Sequence, residues 1–325
     1  MNAIGKLPPG SQEKISLVLP DEIAGQRLDQ ALARLLPQYS RARIQEWIRE
    51  GRLMLGGKRP RTRDKVRGGE QVEIDVPEAQ AGDWRAEDIP LRIVYEDDDI
   101  LVINKPAGLV VHPGAGNPEG TMLNALLHHT PGLRNLARAG IVHRIDKETS
   151  GLLVVAKNEA ARLDLIQQLK DRSLSREYLA LVQGVVIAGG TVDAPIGRHA
   201  TTRTRMAVSE RGRPAVSHYR VEKKFPAHTL LRVKLESGRT HQIRVHMAHL
   251  KHPLVGDPVY GGRLHLPKGA SEALISALQT FKRQALHATR LGLVHPVSGD
   301  EMEWEVPLPT DMKKLIAVLV KDLKK

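Results

Sequence analysis

The hydrophobic pattern of residues 25–76 predicts a small module of two helices and a few strands. Apolar residues recur at helical spacing in residues 28–36 and again in residues 44–48, which predicts two amphipathic helices. A short apolar run before the two glycines at residues 56–57, and an alternating run in residues 72–76, predict a hairpin followed by a strand. We therefore interpret residues 25–76 as one compact module.

Polar segments separate this module from the rest of the chain. Residues 1–24 are predicted to be a tail that ends in a short edge strand. Residues 77–90 are polar, acidic and rich in alanine, and they have no apolar period, so we interpret them as a linker. Residues 91–325 then form a second, larger domain.

The larger domain is predicted to be rich in strands, with helices between them. Apolar runs in residues 177–184 and the alternating pattern of residues 229–236 are typical of strands. Helical periodicity predicts helices over residues 160–170 and 271–286. Two further strands are predicted within residues 291–306.

Residues 143–156 place charged and turn-forming side chains directly before an apolar strand. Residues 152–156 form a short, partly β-branched run, which predicts a strand buried on both faces. Loops that feed such strands often carry catalytic side chains. Asp146 lies in this loop near Arg144 and Lys147, and their positive charge favours an ionised carboxylate, which suits a nucleophile better than a proton donor. A turn aspartate that caps its own backbone is the structural alternative.

Composition limits the broad class of the protein. The chain has 325 residues, of which 41% are hydrophobic and 26% charged, and it contains no cysteine. These values exclude a mostly disordered chain, disulfide bonds, thiolate catalysis and cysteine-ligated metal sites. No window approaches the ~18 consecutive apolar residues of a membrane span, and the N-terminus has no secretory pattern. We therefore expect a cytoplasmic protein without a membrane partner.

The net charge of +12 indicates a polyanionic partner, and nucleic acid fits this charge best. Residues 39–68 hold ten Lys or Arg against three acidic residues, which is typical of a phosphate-binding surface, although a solvated basic face is the alternative. A second basic stretch, residues 196–213, is predicted to be an exposed loop that contacts phosphate. The candidate RNA-binding residues from these and later segments are Arg41, Arg43, Lys58, Arg59, Arg61, Arg63, Arg203, Arg205 and Arg239.

Two motifs that suggest cofactor or metal binding lack the required spacing. Gly114, Gly116 and Gly120 form a motif one residue too long for a dinucleotide fingerprint, and no P-loop lysine follows them. His241 and His246 are five residues apart, whereas neighbouring ligands on a helix are separated by four. We therefore predict neither a cofactor nor a metal site.

Three motifs occur in the order that characterises a known enzyme family. They are HRIDKETSGLLVVAK at residues 143–157, REYLALVQG at residues 176–184 and GRTHQIRVHMAHLKHPLVGDPVYGG at residues 238–262. Together they resemble the signature of the RluA-type pseudouridine synthases. The order of elements in residues 27–74 resembles the S4 RNA-binding domain, so the resemblance covers nearly the whole chain.

The resemblance implies an α+β fold, with a small S4-like α/β module before a large synthase domain. That domain is expected to have a mixed, mainly antiparallel sheet and a central cleft. The implied activity is isomerisation of uridine to pseudouridine in 23S rRNA of the large ribosomal subunit, with the stem-loop called helix 69 as the expected target. The reaction has no net redox change, so no cofactor is expected, and we expect a monomer.

Site residues carried over from the family fall on four positions of this sequence. Its catalytic aspartate falls on Asp146, its active-site tyrosine on Tyr178, and the basic partner of the aspartate on Arg244. Arg144 matches the residue that fills the space left by the flipped uridine, and Ile145 stands where leucine is more usual. Attack of the aspartate at C1′, attack at the base C6 and assistance to proton removal from C2′ all remain open.

Two other functional classes are consistent with the sequence. A non-catalytic ribosome-assembly factor would use only the S4-like module and the basic loops. An RNA N-glycosylase would use the same carboxylate but would release free uracil, so an assay for the free base distinguishes it.

Overall fold

The computed structural model describes residues 13–36, 39, 41–76, 84–114, 116–202, 205–264 and 266–322, without the side chains of residues 13, 42 and 43. The chain divides into two compact units, with the boundary between Asp83 and Trp84. No helix in the described part of the chain is both long enough and apolar enough to cross a membrane.

The N-terminal unit packs two helices against a small sheet. Its elements are β1 (Glu13–Val18), α1 (Leu28–Leu35), α2 (Arg41–Arg49), β2 (Leu53–Leu55) and β3 (Gln71–Val76). The strands pair antiparallel in the order β1-β3-β2. Residues assigned to the tail therefore include a paired strand of this unit, because Ile15 and Leu17 of β1 pack against its hydrophobic core.

The hairpin after β2 has the geometry that its two glycines favour. Leu55 and Lys58 exchange backbone hydrogen bonds of 2.9 and 3.0 Å. Between them, Gly56 has a φ of 53° and Gly57 a φ of 74°. A two-residue turn with both central residues at positive φ matches the twist of the strands, and glycine adopts it without steric cost.

The larger unit is built on one extended sheet. Its strands are β4 (Ile93–Glu96), β5 (Ile100–Lys105), β6 (Ser150–Ala156), β7 (Ser175–Gln183), β8 (Gly190–Asp193), β11 (Val216–Lys224), β12 (His228–Leu235), β13 (Leu286–Val294) and β14 (Glu301–Glu305). The order is β4-β5-β6-β13-β7-β12-β11-β8, and β14 pairs with β13. Only β6 and β13 are parallel among these described strands. The predicted mixed, mainly antiparallel sheet is confirmed.

Helices and one small sheet cover this large sheet and complete its core. The helices are α3 (Met122–His129), α4 (Glu159–Asp171), α5 (Gln242–His249), α6 (Glu272–Thr280) and α7 (Thr310–Asp322), and the small sheet pairs β9 (Ile196–Arg198) with β10 (Met206–Val208). Every residue of β6 is buried, as its apolar sequence predicts. The loop of residues 143–149 leads directly into this strand.

Two predicted boundaries differ from the structure. The helix predicted over residues 271–286 ends at Thr280, because the backbone N–H of Ala285 donates to Val255, its carbonyl accepts from Leu181, and β13 begins at the next residue. The linker predicted over residues 77–90 is shorter, because residues 84–90 bond to the larger unit. Within that stretch the backbone N–H of Glu87 donates to the carbonyl of Asn124 at 3.0 Å.

Candidate active site

A buried lysine holds the loop that carries Asp146. Lys105 is fully buried, and its Nζ donates to the carbonyl oxygens of Pro106, Leu109 and Lys147 at 2.8, 2.8 and 3.0 Å. Burial lowers the pKa of Lys105 to about 7. Because one acceptor belongs to the residue after Asp146, this side chain ties the loop to the end of β5.

Two more side chains fix the same loop to the sheet. His143 accepts a hydrogen bond at Nε2 from the backbone N–H of Val154 in β6 at 3.0 Å. Burial lowers the pKa of His143 to about 3, so this imidazole is neutral and able to accept. Arg283 donates to the carbonyl of Glu148 at 3.1 Å. The loop is therefore anchored on both sides of Asp146.

One arginine joins Asp146 to a second, buried carboxylate. Arg244 in α5 donates from Nη1 to Oδ2 of Asp146 at 3.0 Å. Its Nε and Nη2 donate to both oxygens of Asp257 at 2.7 and 2.9 Å, so the two-bond fork goes to Asp257. Burial lowers the pKa of Arg244, but the hydrogen bond and charge of Asp257 and the charge of Asp146 outweigh burial and raise it. The guanidinium stays charged and is held in one orientation.

Asp257 is a site residue that the sequence analysis missed. It is 4% exposed, and its Oδ1 also accepts the backbone N–H groups of Val259 and Tyr260 at 2.8 and 3.0 Å. Burial raises the pKa of Asp257, yet these bonds and Arg244 bring it below the ordinary value. The available signal was a turn aspartate within the third motif, at Gly256–Gly262.

His241 faces the other oxygen of Asp146. It precedes α5 with a left-handed φ of 58°, and its Nε2 lies 4.0 Å from Oδ1 of Asp146. Its Nδ1 lies 2.8 Å from the hydroxyl of Tyr260, which accepts the backbone N–H of Met206 at 2.9 Å. Its O–H is free to donate to Nδ1, and on this basis we assign the neutral imidazole its proton on Nε2, towards Asp146. Burial is the main cause that lowers the pKa of His241.

Tyr178 lies in β7 and is 6% exposed. Burial raises the pKa of its phenol, which is therefore neutral near pH 7. Asp146, Tyr178 and Arg244 line one open cleft with about 550 Å³ of empty space, together with Arg144 and Arg239. The structure thus brings together these five residues, which the sequence analysis selected.

A basic groove of about 1430 Å³ adjoins the cleft. It shares Arg144, Arg176, Gly238 and Arg239 with the cleft, so the two are continuous. The further cationic residues along it are Arg138, Lys170, Arg172 and Arg213. This concentration of guanidinium and ammonium groups suits a polyanionic chain that leads into the cleft.

The acidic lining of the basic groove is already neutralised. Among the described residues that line it, Glu236 is the one acid. Its carboxylate accepts hydrogen bonds from Arg172 and from His218, the latter at 2.7 Å. The hydrogen bond from His218 is the main cause that lowers the pKa of Glu236. The groove is therefore positive over most of its length.

The remaining predicted RNA-binding residues have different surroundings. Lys58, Arg59, Arg61 and Arg63 are exposed and form no salt bridge with the described residues. Arg205 instead donates to the carbonyl of Val259. Arg203 and the side chain of Arg43 lie outside the described part of the chain.

Arg41 bonds inside the N-terminal unit. Its Nε donates to the fully buried Asp29 at 2.9 Å, and Arg27 donates to the same carboxylate at 3.0 and 3.1 Å. The structure therefore gives Arg41 a role in holding α1 and α2 together.

The buried histidine of the third motif serves hydrogen bonding in this structure. His246 is fully buried, with Nδ1 2.9 Å from the hydroxyl of Ser217 and Nε2 2.9 Å from the carbonyl of Ala194. Elsewhere in the described residues, Asp97, Asp99 and His295 lie close enough to hold a metal ion. Asp97 there accepts hydrogen bonds from the backbone of Asp99 at 2.8 Å and from His295 at 3.0 Å, as a turn aspartate does.

A carboxylate held by an arginine, beside a buried neutral tyrosine and at the end of a basic groove, is an arrangement that suits an enzyme acting on a polyanion. Residues 99–249 match the sequence model of the RNA pseudouridylate synthase family, and residues 26–72 match the S4 domain.

Individual proteins agree with this assignment. The chain is 57% identical over 310 residues to ribosomal large subunit pseudouridine synthase D of Escherichia coli (strain K12), covering 95% of each chain. It is 56% identical over 304 residues to the protein of that name from Pseudomonas aeruginosa, covering 94% of this chain and 95% of the relative. Among solved structures, human RNA pseudouridylate synthase domain containing 1 matches with a TM-score of 0.55 and 27% identity, over 72% of this chain and 89% of that chain. The chain belongs to the RNA pseudouridylate synthase family, whose members are isomerases.

Proposed function

We propose that this protein converts specific uridines of 23S rRNA to pseudouridine, in the stem-loop called helix 69, with Asp146 as the nucleophile. The substrate is inferred from relatives named for the large ribosomal subunit, which match 95% of this chain. The observation that carries the catalytic role is the hydrogen bond of 3.0 Å from Arg244 to Asp146 at the base of the cleft. This bond orients an anionic carboxylate where a substrate can reach it.

The chemistry requires one bond to break and another to form at C1′ of the ribose. The N1–C1′ bond breaks, the uracil rotates, and C5 bonds to C1′, while the proton on C5 is lost and N1 gains one. An anionic Asp146 stabilises or traps the electron-deficient sugar, as carboxylates do in glycosidases. Tyr178 lines the cleft, where its ring can stack on the base and its neutral hydroxyl can relay the C5 proton to another acceptor. Because water would convert the same intermediate into a hydrolysis product, the base has to remain enclosed.

The target uridine must leave its stack to enter the cleft. Arg144 is exposed at the junction of the cleft and the basic groove, where it is placed to fill the gap left in the RNA. Extrusion costs ~ a few kcal/mol and costs least in a loop, which favours a stem-loop substrate. The basic groove and Arg239 then contact the backbone near the cleft, and the exposed cations of residues 58–63 contact it elsewhere.

A synthetic helix 69 stem-loop incubated with the purified protein tests the proposal. We expect pseudouridine to form under single-turnover conditions, without release of free uracil. Release of uracil would indicate an RNA N-glycosylase instead. Tight binding with no modified nucleoside, under any ionic condition that keeps the RNA folded, would favour a non-catalytic assembly factor.

A further inference from the structure

Arg176 is a buried arginine without a counter-ion among the described residues. The residue is 7% exposed, and its Nε is enclosed without a hydrogen-bond partner. Within the described part of the chain, no carboxylate forms an ion pair with its guanidinium and no acceptor receives a hydrogen bond from it. Burial lowers the pKa of Arg176, as expected for a cation that lacks a nearby anion.

The other deeply buried arginines of this unit are paired. Arg244 is 5% exposed and bonds to Asp257 and Asp146. Arg283 is 8% exposed and donates to both oxygens of Asp311 at 2.6 and 2.9 Å. A buried charge without a partner is costly to folding, so an unpaired one indicates a role outside the free protein.

Arg176 lies where the cleft meets the basic groove, and it lines both. It is two residues before Tyr178 on β7, so both side chains project from the same face of the strand, ~7 Å apart along it. Glu177, between them, points to the opposite face and pairs with Arg232. The guanidinium is therefore next to the place where the proposed function seats the target base.

We propose that Arg176 binds an RNA phosphate that flanks the target uridine, so that the substrate supplies the missing anion. The inference rests on the proposed function and adds a phosphate site to it. A guanidinium fits a phosphate through two parallel hydrogen bonds, and this geometry would fix the nucleotide beside Asp146.

Gly238 leaves the space that this guanidinium occupies. A Cβ at Gly238 would lie 2.8 Å from Nη1 of Arg176. The backbone of Gly238 is not in the left-handed region, so alanine is compatible with it. Gly238→Ala therefore displaces the guanidinium while its charge remains in the protein.

The test measures RNA affinity and thermal stability in full-length variants. The variants are Arg176→Gln, Arg176→Lys and Gly238→Ala, with Arg290→Gln as a matched control, because Arg290 is ion-paired with Glu303 and lines neither cavity. The probes are the helix 69 stem-loop and two copies that carry one neutral methylphosphonate, on the 5′ or the 3′ side of the target uridine.

We expect Arg176→Gln to unfold at the wild-type temperature or above it, since it removes an unpaired buried charge. Its RNA affinity should fall ~10-fold, and the slope of log affinity against log salt should decrease by ~0.7. Arg176→Lys and Gly238→Ala should also weaken binding, whereas Arg290→Gln should not. One of the two methylphosphonate RNAs should bind the wild type more weakly than the unmodified RNA does. The same two RNAs should bind Arg176→Gln with equal affinity, which is the signature of a direct pair between Arg176 and that phosphate.

A purely structural arginine gives the opposite result. In that case Arg176→Gln unfolds at a lower temperature, and Arg176→Lys and Gly238→Ala retain wild-type affinity. The proposal is also overturned if each methylphosphonate lowers the RNA affinity of wild type and of Arg176→Gln by the same factor. If wild type binds the RNA through Arg176 yet makes no pseudouridine, the proposed function fails and the phosphate site stands.

Discussion

At the scale of single residues, one guanidinium organises the catalytic cleft. Arg244 uses two nitrogens on Asp257 and the third on Asp146. Asp257 therefore orients the arginine, and the arginine orients the proposed nucleophile. A buried ion pair of this kind fixes geometry more than it stabilises the fold.

Arg244→Lys should therefore lower the single-turnover rate ~10²-fold with little change in RNA affinity, because an ammonium cannot bond both carboxylates in a fixed plane. Asp257→Asn is the matched variant, since it leaves the direct contact to Asp146 but weakens the support of Arg244. We expect a smaller loss of rate from it. Rates for Arg244→Lys equal to wild type would contradict this arrangement.

His241 offers a second prediction, because the assigned tautomer points Nε2–H at Asp146. His241→Gln retains an N–H near the Nε2 position, whereas His241→Asn retains a polar group only near Nδ1. We expect the Asn variant to lose ~10-fold in single-turnover rate and the Gln variant to recover part of it. Thermal melts check that both are folded, and a faster Asn variant than Gln variant would contradict the assignment.

The residues of the cleft were predictable to different degrees. Asp146, Tyr178 and Arg244 stand in motifs that resemble a known family, so their selection needed no coordinates. Asp257 and the chain from Met206 through Tyr260 to His241 were not predictable, because their contacts depend on how separate segments pack. The unpaired state of Arg176 was not predictable for the same reason, because it depends on which side chains pack around it in three dimensions.

At the scale of elements, a buried acid joins the two helices of the N-terminal unit. Asp29 of α1 accepts hydrogen bonds from Arg27 and Arg41. Burial raises the pKa of Asp29, but the bonds from Gln45, Arg27 and Arg41 outweigh burial and lower it to about 2. The stabilisation that the ionised Asp29 provides is complete above pH 3.8, the pKa of this group in the unfolded chain, and is lost as pH falls towards 2.

Asp29→Asn should destabilise the N-terminal unit by about 2 kcal/mol near neutral pH and remove its pH dependence between pH 4 and pH 2. The free energy of unfolding is followed by fluorescence of Trp47, which is 1% exposed, in a background with Trp84→Phe and Trp304→Phe. A variant as stable as its parent at pH 7 would show that the hydrogen bonds of Asp29 contribute little to the stability of this unit.

Element boundaries were harder to predict than element types. The buried strand β6 and both helices of the N-terminal unit follow from periodicity alone. The end of α6 does not follow from periodicity. The residues after Thr280 continue the helical pattern in sequence, but Ala285 and β13 form backbone hydrogen bonds with Val255 and β7 instead. Tertiary pairing overrides local propensity there.

At the scale of the whole molecule, we expect RNA anchoring and the chemical step to be separable. A chain beginning at Trp84 should fold, because residues 84–90 bond to the larger unit and the cleft lies entirely beyond them. Loss of ~4 phosphate contacts should reduce the slope of log affinity against log salt by ~3. Its rate at saturating RNA should remain near wild type. An unchanged salt slope with loss of the chemical step would mean that the N-terminal unit supports catalysis instead of anchoring the RNA.

The most direct test of the central claim is a map of pseudouridine in 23S rRNA. The RNA is taken from cells that lack the protein and from the same cells supplied with wild type or with Asp146→Asn. We expect pseudouridines in helix 69 to be absent without the protein, to return with wild type, and to stay absent with Asp146→Asn, whose amide is not an anionic nucleophile. The proposed function is contradicted if the helix 69 pseudouridines persist without the protein, and the role of Asp146 is contradicted if Asp146→Asn restores them as wild type does.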